Sequence, residues 1–398
     1  MRGIAARAGI DLDAFASKSA VITGSNGKGS TAAMLASILT ESGLRTGLFT
    51  SPHLFAINER FQIDRAAIGD DALDKHWGLL EEEADGWALA HPAHAIGGFE
   101  FLFLVAASWF QSAQCDRVVW EAGIGGRHDV TRFTRARLSA ITSLDLEHTK
   151  LLGETLEDIA LDKADAVAAG GVLVLGESVA AFGDGVRAHA AARRVSVELA
   201  KPLGPGSPLR GVHGVVGLEG AHQRENAAVA AHLARKMGAA DEAIARGLMN
   251  VNWPGRLETI ETDPPIVIDV GHTPRAIEAA LAGFLAMHPG DRQVLVVGAS
   301  QDKRANEIVA RLAPHFDVIV CAAALHKGAP ADEIATAAFN ANPRALIFEA
   351  RSMREAHALA IGHARARGGA IYVAGGLFLA VEFQAVHEGR DPAQLAFF

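Results

Sequence analysis

Short apolar runs rich in β-branched residues alternate with helical patterns along most of the chain, and this alternation restricts the fold more than any other feature. In the first half the runs are SAVITG, RTGLFT, RVVWEAG, LSAITS and GVLVLG. Helical patterns extend from residue 29 to about residue 42 and from residue 155 to about residue 169. Strands that alternate with helices form parallel sheets with right-handed crossovers. We therefore predict an α/β protein.

The second half repeats the alternation with PIVIDV, RQVLVVGAS, DVIVCAA, RALIFEA and AIYVAGG, which predict a smaller open parallel sheet. Between the two series, residues 201–220 are rich in Gly and Pro and predict loops and short strands. A helix is expected from about residue 222 to residue 237, and the polar segment NWPGRLETIETDPP is the candidate interdomain hinge. A chain of 398 residues usually forms more than one domain. We therefore predict two domains, residues 1–256 and 257–398.

The composition limits the partners and the compartment. A net charge of −9 argues against nucleic acid as the main partner, although nucleotides remain compatible with it. The two cysteines, Cys115 and Cys321, lie in apolar runs and are expected to be buried thiols in a reducing cytoplasm. Neither an amino-terminal signal peptide nor a membrane span is expected, because the apolar runs are too short.

The strongest local signal is TGSNGKGST at residues 23–31, between a predicted strand and a predicted helix. Glycines allow backbone N–H groups to point at phosphate oxygens, and the helix amino terminus adds partial positive charge. A lysine can reach the β- and γ-phosphates, and a hydroxyl after it can face Mg²⁺. The first domain is therefore predicted to be a P-loop-type ATPase domain. Its expected nucleotide-contacting residues are Asn26, Gly27, Lys28, Gly29, Ser30 and Thr31.

This loop departs from the common G-x-x-x-x-G-K-[ST] pattern, since Ile22 occupies the first glycine position and Gly29 follows Lys28. TGSNGKGS instead resembles the nucleotide loop of the Mur ligase superfamily, in the version found in folylpolyglutamate and dihydrofolate synthases. TSPHL, EAGIGGR, DLEHT, HQREN, WPGR and DVGHTP resemble further stretches of that family and occur in its order. The resemblance extends from about residue 20 to residue 382 and implies that the second domain is Rossmann-like.

The resemblance implies a two-Mg²⁺ site. Glu121 ends an apolar strand, so its carboxylate is expected at the carboxyl edge of the sheet, where open α/β sheets bind ligands. Ser51 and Glu121 are implied ligands of one ion, and His148 is the implied ligand of the second. Lys163 corresponds to a lysine that is carbamylated in the family, which turns a cation into an anion able to face that second ion.

The resemblance also implies roles around ATP and the reacting groups. Asn226 would contact the adenine end, Asp269 the ribose and Arg256 a phosphate. His272 would lie near the acyl phosphate or the amino acid and could act as a base. The implied reaction is ATP-dependent amide formation. A carboxylic acid becomes an acyl phosphate, and the amine of an amino acid, with glutamate favoured, displaces phosphate. Lys28, Lys163 and His272 are the predicted catalytic residues.

Several departures fall where the family holds its pterin substrate or its amino acid. HDVTR at residues 128–132 replaces Leu-Asp-Ala-Thr-Asn, GGFE at 97–100 replaces Thr-x-Phe-Glu, and Thr273 and Gly376 replace an asparagine and a serine. Since the ATP and metal residues are kept, one hypothesis is a ligase of this family that acts on a non-folate acid.

Three alternatives stay open. The chain could be an orthodox dihydrofolate synthase/folylpolyglutamate synthase, a nucleotide-binding protein that has lost ligation, or a P-loop kinase or GTPase. A kinase or GTPase would lack the second sheet with WPGR before it. The expected partners are a small-molecule acid and an amino acid, without nucleic acid or membrane, and the expected assembly is a monomer or a homodimer.

Overall fold

The computed structural model describes residues 1–92, 95–203, 216–301 and 305–397, and the chain divides into two compact units. The amino-terminal unit comprises Met1–Gly217 and Gln223–Asn252. The carboxy-terminal unit comprises Leu218–His222 and Trp253–Phe398, so one short segment of it precedes the last part of the amino-terminal unit in sequence.

The amino-terminal unit is built on a mostly parallel eight-stranded sheet with the order β4-β3-β2-β5-β1-β6-β7-β8. Among the described strands of this sheet, the β2–β3 and β3–β4 pairs are the antiparallel ones. The strands are β1 (Ser19–Thr23), β2 (Thr46–Phe49), β3 (Phe61–Ile63), β4 (Ala66–Ala67), β5 (Arg117–Glu121), β6 (Leu138–Ile141), β7 (Val172–Leu175) and β8 (Ser196–Leu199).

Helices flank this sheet, and the one after β1 is almost entirely buried. They are α1 (Arg2–Arg7), α2 (Lys28–Glu41), α3 (Asp70–Ala90), α4 (Gly98–Ser112), α5 (Thr149–Leu152), α6 (Leu156–Ala164), α7 (Gly183–Ala191), α8 (Ala221–Lys236) and α9 (Asp241–Met249). Helix α9 packs closely on α2. A β-carbon added to Gly247 would lie only 2.4 Å from Cα of Ile38. This close contact anchors the helix that follows the candidate phosphate loop.

The carboxy-terminal unit contains a six-stranded sheet with the order β13-β12-β11-β14-β10-β9. Its strands are β9 (Glu258–Thr262), β10 (Pro265–Ile268), β11 (Val294–Val297), β12 (Val318–Cys321), β13 (Leu346–Glu349) and β14 (Ile371–Ala374). Its helices are α10 (Pro274–Met287), α11 (Ala305–Leu312), α12 (Ala331–Ala341), α13 (Met353–Arg367) and α14 (Leu377–His387). In its core, Tyr372 stacks on Phe284 with ring centroids 4.4 Å apart.

The predicted α/β class and the two successive sheets are confirmed, and each predicted strand run contains an observed strand. The predicted parallel sheets are confirmed in their central strands, and at the edges β3, β4 and β9 add antiparallel pairing. Part of the segment predicted as a hinge forms strand β9, whose backbone pairs with β10. Most of the loop region predicted at 201–220 falls outside the described residues.

Helix α6 ends at Ala164, five residues before the predicted end. Beyond it, the N–H groups of Asp165 and Ala166 donate to the carbonyls three residues before them, and the N–H of Ala168 donates to the carbonyl of Ala136, so the helical bonding does not continue.

Both cysteines are free and buried, as predicted. Burial raises the pKa of Cys115 to about 11 and that of Cys321 to about 12, so both stay protonated near neutral pH. None of the helices in the described part of the chain combines the length and apolar character that a bilayer-spanning segment requires.

Candidate functional site

The carboxyl ends of four neighbouring strands meet at the middle of the amino-terminal sheet. Strand β1 pairs on one side with β5, where Ile22 is opposite Glu121, and on the other with β6, where Thr23 is opposite Ile141. Strand β2 pairs with the far side of β5. The connections that leave these strands therefore converge at one edge, which is where open α/β sheets bind ligands.

The loop after β1 is held in shape by the connection after β6. The backbone N–H of Asn26 donates to Oγ of Ser143 at 2.9 Å, and the hydroxyl of Thr142 donates to the carbonyl of Asn26 at 2.6 Å. Gly24 has φ +141°, and an added β-carbon would lie 1.9 Å from Oγ1 of Thr142. Glycine is therefore required at this position for both conformation and space.

Gly27 joins the loop to helix α8. Its φ is +82°, and an added β-carbon would lie 2.3 Å from Oδ1 of Asn226. The amide of Asn226 also donates to Oε1 of Gln223 at 2.9 Å, which fixes its orientation. The structure thus brings the predicted adenine-contacting residue against the predicted phosphate loop, although the two lie far apart in sequence.

Lys28 opens helix α2 and its ammonium folds back over the loop. Its Nζ donates to the carbonyl oxygens of Gly24 at 2.9 Å and Ser25 at 3.3 Å. Ser30 and Thr31 lie buried in the first turn of the same helix. Loop amides, a lysine and a helix amino terminus are the features that hold phosphate groups.

Ser51 and Glu121 are adjacent at the ends of β2 and β5. The backbone N–H of Ser51 donates to Oε2 of Glu121 at 3.0 Å, and the Glu121 side chain is buried. Behind them, Nε of Arg60 donates to Nδ1 of His53 at 2.8 Å. Burial lowers the pKa of Arg60, and the charge of Glu121 partly opposes that shift.

Lys163 and Glu147 form a buried ion pair beside the loop. Lys163 is only 1% exposed, and its Nζ lies 3.0 Å from Oε1 of Glu147. Burial lowers the pKa of Lys163, and the nearby charge of Lys28 lowers it further. For Glu147, burial favours the neutral acid, but Lys28 and Lys163 outweigh it and its pKa is lowered.

Glu147 is the residue that sequence reasoning missed. The family resemblance drew attention to His148, whose side chain is exposed and whose backbone has φ +47°. The available signal was an acidic residue in the connection after a buried strand at the sheet's carboxyl edge. Glu147 accepts a hydrogen bond from Nζ of Lys163.

Together the site residues of this unit, namely residues 24–31, Ser51, Glu121, Glu147 and Lys163, are called the amino-terminal site below. Within the described ranges, His, Cys, Asp and Glu side chains do not gather in threes as a complete metal cage. The oxygen ligands of Ser51, Glu121 and Glu147 nevertheless fit Mg²⁺, which usually binds one or two carboxylates together with water and substrate phosphates.

The carboxy-terminal unit has its own cluster, at the carboxyl end of β10. Asp269 is buried, and its two carboxylate oxygens accept the backbone N–H groups of Gly271 at 2.8 Å and Leu257 at 3.1 Å. Burial raises the pKa of Asp269, while the Arg256 charge opposes the shift. Burial lowers the pKa of His222, which lies within electrostatic range of the Asp269 carboxylate.

His272 and Gly376 lie side by side next to this carboxylate's loop. A β-carbon added to Gly376 would lie 4.0 Å from Cβ of His272. Thr273 caps helix α10, because its hydroxyl accepts the backbone N–H of Ala276 at 3.2 Å. The departure noted at this position therefore has a structural use. Arg256, Asp269, Gly271, His272 and Gly376 are called the carboxy-terminal site below.

Comparison with known proteins identifies the relatives of the chain. A family model described as Mur ligase, glutamate ligase domain, matches residues 255–377. The dihydrofolate synthase/folylpolyglutamate synthase of Bacillus subtilis is 31% identical over 317 residues, which cover 73% of each chain. The chain belongs to the folylpolyglutamate synthase/dihydrofolate synthase family.

Other members differ in length or add a solved structure. A probable bifunctional folylpolyglutamate synthase/dihydropteroate synthase of Halobacterium salinarum is 36% identical, over 91% of this chain and 46% of that protein. The chain thus spans under half the length of that relative. The Yersinia pestis bifunctional folylpolyglutamate synthase/dihydrofolate synthase, solved with AMPPNP and Mn, superposes with a TM-score of 0.80 at 26% identity, covering 97% and 92% of the two chains.

These relatives correct one hypothesis from the sequence. The departures near residues 97–100 and 128–132 suggested a non-folate acid, but the relatives carry folate-synthase names and cover most of this chain. Membership of the family therefore favours the orthodox alternative. The departures that the structure explains, such as the helix cap at Thr273, carry no information about the acid.

Proposed function

We propose that the chain is an ATP-dependent ligase that joins the carboxylate of a pteroate- or folate-type acid to the amino group of glutamate. The observation that carries this proposal is the amino-terminal site, where a phosphate loop, two carboxylates and a buried lysine meet at one sheet edge. The names of the relatives and the glutamate ligase description of the matched family model support the choice of acid and amino acid.

The first chemical step transfers the γ-phosphoryl group of ATP to an oxygen of the acid's carboxylate, releasing ADP. The loop N–H groups and Lys28 would bind the phosphates and stabilise the negative charge that develops during transfer. Lys28 must leave the carbonyls of Gly24 and Ser25 to do so, which exchanges two neutral acceptors for charged ones.

The second step forms the amide bond. The neutral amine of glutamate attacks the acyl carbon, the carbon–oxygen bond to phosphate breaks, and the amine proton passes to a base. We assign that base to His272 and assign Arg256 to a phosphate, Asp269 to the ribose and Asn226 to the adenine end. The nucleotide phosphates and the acid belong to the domain proposed at residues 1–256, and the amino acid to residues 257–398.

A divalent cation, Mg²⁺ in the cell, would supply further charge neutralisation at the phosphates. Ser51 and Glu121 provide oxygen ligands for one ion. We assign Lys163 and His148 to a second position, with Glu147 beside them. The lowered pKa of Lys163 increases the fraction of neutral amine, which is the form that adds carbon dioxide to give a carbamate and a proton. That carbamate beside Glu147 would place two anions together, an arrangement that a cation stabilises.

The direct test is turnover by the purified full chain. ATP, Mg²⁺ and glutamate are supplied with dihydropteroate, with tetrahydrofolate, or with neither acid, and phosphate release is measured together with product mass. Phosphate release that needs both acid and glutamate, with a product heavier by one glutamyl residue, is expected.

Three other outcomes contradict the proposal. ATP binding without acid-dependent ADP release would favour a nucleotide-binding protein. A stable phosphorylated product that forms without an amine would favour a kinase. Turnover of other acids but not of pteroates would favour the hypothesis of a ligase that acts on a non-folate acid.

A further inference from the structure

A basic cavity lies in the amino-terminal unit, outside the phosphate loop. It has a volume of about 370 Å³, within the range typical of small-ligand sites. Its charged lining is mainly cationic, although the whole chain carries a net charge of −9. The residues that matter here are Arg2, Arg127, Arg132, Arg135 and His128.

The carboxylates near these arginines balance only part of their charge. Asp13 accepts two bonds from Arg2, at 2.9 and 3.2 Å, and lies 3.7 Å from Nη1 of Arg135. Arg127 pairs with Asp165 at 2.7 Å. That second carboxylate is already shared, because His189 and Arg193 also lie 2.8 Å from it. Cations therefore exceed the available carboxylates.

Arg132 adds a positive charge that no internal carboxylate offsets. Its guanidinium donates to the carbonyl oxygen of Arg127, and within the described chain it forms no ion pair. Asp129, which also lines the cavity, does not serve as its counter-ion. Its oxygens accept the backbone N–H groups of Gly123 and Thr131 and the hydroxyl of Thr131.

The same loop connects the cavity to the amino-terminal site. Gly123, which donates to Asp129, lies two residues after Glu121. The backbone N–H of Gly126 donates to Asp162, the neighbour of Lys163, at 2.9 Å. A ligand in the cavity would therefore contact the loop whose other positions shape the candidate catalytic site.

We propose that the basic cavity binds a second anionic group of the acid substrate, of the oligo-γ-glutamyl carboxylate class. This inference rests on the proposed function, since each added glutamate leaves one extra carboxylate on the acid. Arginine guanidinium groups suit planar carboxylates because they can donate two parallel hydrogen bonds. Arg2, which lines the cavity, shows this geometry in its bidentate contact with Asp13. A phosphate ester shares the oxyanion chemistry and is the other source to be tested.

Direct binding tests the inference without turnover. The full chain is titrated calorimetrically at low salt with tri-γ-L-glutamate and, separately, with inorganic phosphate. Arg132→Gln and Arg135→Gln should each weaken peptide binding by about tenfold, since each removes one charge-assisted contact. Arg187→Gln is the matched control, because this exposed arginine pairs with Asp184 outside the cavity. It should leave the dissociation constant unchanged.

Asp13→Asn supplies a test in the opposite direction. It removes the carboxylate that competes for Arg2 and Arg135, so peptide binding should tighten by about threefold. A nonspecific loss of structure cannot produce tighter binding. Stronger binding of phosphate than of peptide, lost in the same arginine variants, would overturn the carboxylate class in favour of a phosphate ester. Unchanged binding of both probes in those variants would overturn the site itself.

Turnover then separates this inference from the proposed function. In Arg135→Gln, KM for an acid with a tri-γ-glutamyl tail should rise about tenfold with kcat unchanged, while KM for the tail-free acid stays within about twofold. An equal rise for both acids would overturn the inference and leave the ligase proposal standing. The wild-type chain could also bind the peptide, lose that binding in the arginine variants, and show no ligase activity. This result would support the peptide site and contradict the ligase proposal.

Discussion

The two candidate sites have the same position in their sheets but a different construction. Each lies at the carboxyl ends of parallel strands, in glycine-containing connections. The amino-terminal site gathers charged side chains of both signs, including Lys28, Lys163, Glu121 and Glu147. In the carboxy-terminal site the buried carboxylate is Asp269, with backbone amides on both of its oxygens and the charge of Arg256 nearby. The first arrangement suits the stabilisation of charge that develops during phosphoryl transfer, and the Asp269 carboxylate of the second suits a hydrogen bond to a neutral hydroxyl group.

The glycines of the two regions differ in what surrounds them. Gly27 is pressed against the side chain of Asn226, which can move only by giving up its hydrogen bond to Gln223. Gly375, the neighbour of Gly376 in the carboxy-terminal site, is pressed against the backbone carbonyl of Gly298, which directly follows strand β11. We therefore expect a larger side chain at Gly27 to affect binding and one at Gly375 to affect the fold.

The largest effect is expected from Lys28→Ala. If the amino-terminal site carries the phosphoryl chemistry, loss of this ammonium should lower kcat by about 10²–10³-fold, as for other groups that stabilise developing charge. Steady-state phosphate release measures it. Lys236→Ala is the control, because that lysine pairs with Glu198 on the surface, and it should retain normal kcat. A near-normal kcat in Lys28→Ala would contradict the assignment of the phosphoryl chemistry to the amino-terminal site.

Gly375→Ala should mainly reduce stability. Gly375 has φ +129° and an added β-carbon would lie 1.8 Å from the carbonyl oxygen of Gly298, so strands must move. Gly290→Ala is the matched control, with φ +114° and open space around the new atom. Both share the conformational cost, but Gly375→Ala should lose about 2–3 kcal/mol more in urea unfolding. Equal losses of unfolding free energy in the two variants would show that the close approach to Gly298 does not affect stability.

Gly27→Ala should weaken nucleotide binding more than it weakens the fold. Gly27 and Gly43 have nearly equal φ values, +82° and +79°, but only Gly27 has a neighbour that a β-carbon would strike. Displacement of Asn226 should raise the ATP dissociation constant by about tenfold, whereas Gly43→Ala should leave it unchanged. Calorimetric titration with ATP measures both, and a normal affinity in Gly27→Ala would argue against the role assigned to Asn226.

The smallest effect concerns a buried carboxylate in the carboxy-terminal unit. Glu382 accepts the backbone N–H groups of Leu325 and His326, and burial raises its pKa above the ordinary value of 4.5. The neutral acid is therefore favoured in the fold, so its stabilising contribution is present below pH 4.5 and is lost as pH rises through the raised pKa.

Glu382→Gln should remove this dependence. Relative to the variant, the wild-type free energy of unfolding should fall between pH 4.5 and neutral pH, by about 1.4 kcal/mol for each unit of pKa elevation. Urea unfolding at the two pH values measures the difference. A wild-type chain that instead gains stability over this interval would contradict the direction of the pKa shift.

The sequence predicted the strand exits that carry the sites, because a phosphate loop and an acidic strand end are local patterns. Lys28 and Glu121 could be identified in this way. The same kind of pattern puts Glu147 near the sheet edge but does not assign it to the site, since its importance depends on an ion pair with Lys163, which lies 16 residues further along the chain. The antiparallel strand β9 was also missed, because its polar residues pair with β10 and show little alternation.

By itself, the amino-acid sequence determined the α/β class, the two sheets and the family, since periodicity and short motifs are properties of adjacent residues. Only the tertiary structure decided which distant residues meet. It placed Asn226 against Gly27, left His148 exposed while Glu147 contacts Lys163, and grouped arginines from residues 2 to 135 around one cavity. Burial and charge proximity arise when strands and helices pack, so the pKa shifts and close contacts that define these sites depend on the folded chain.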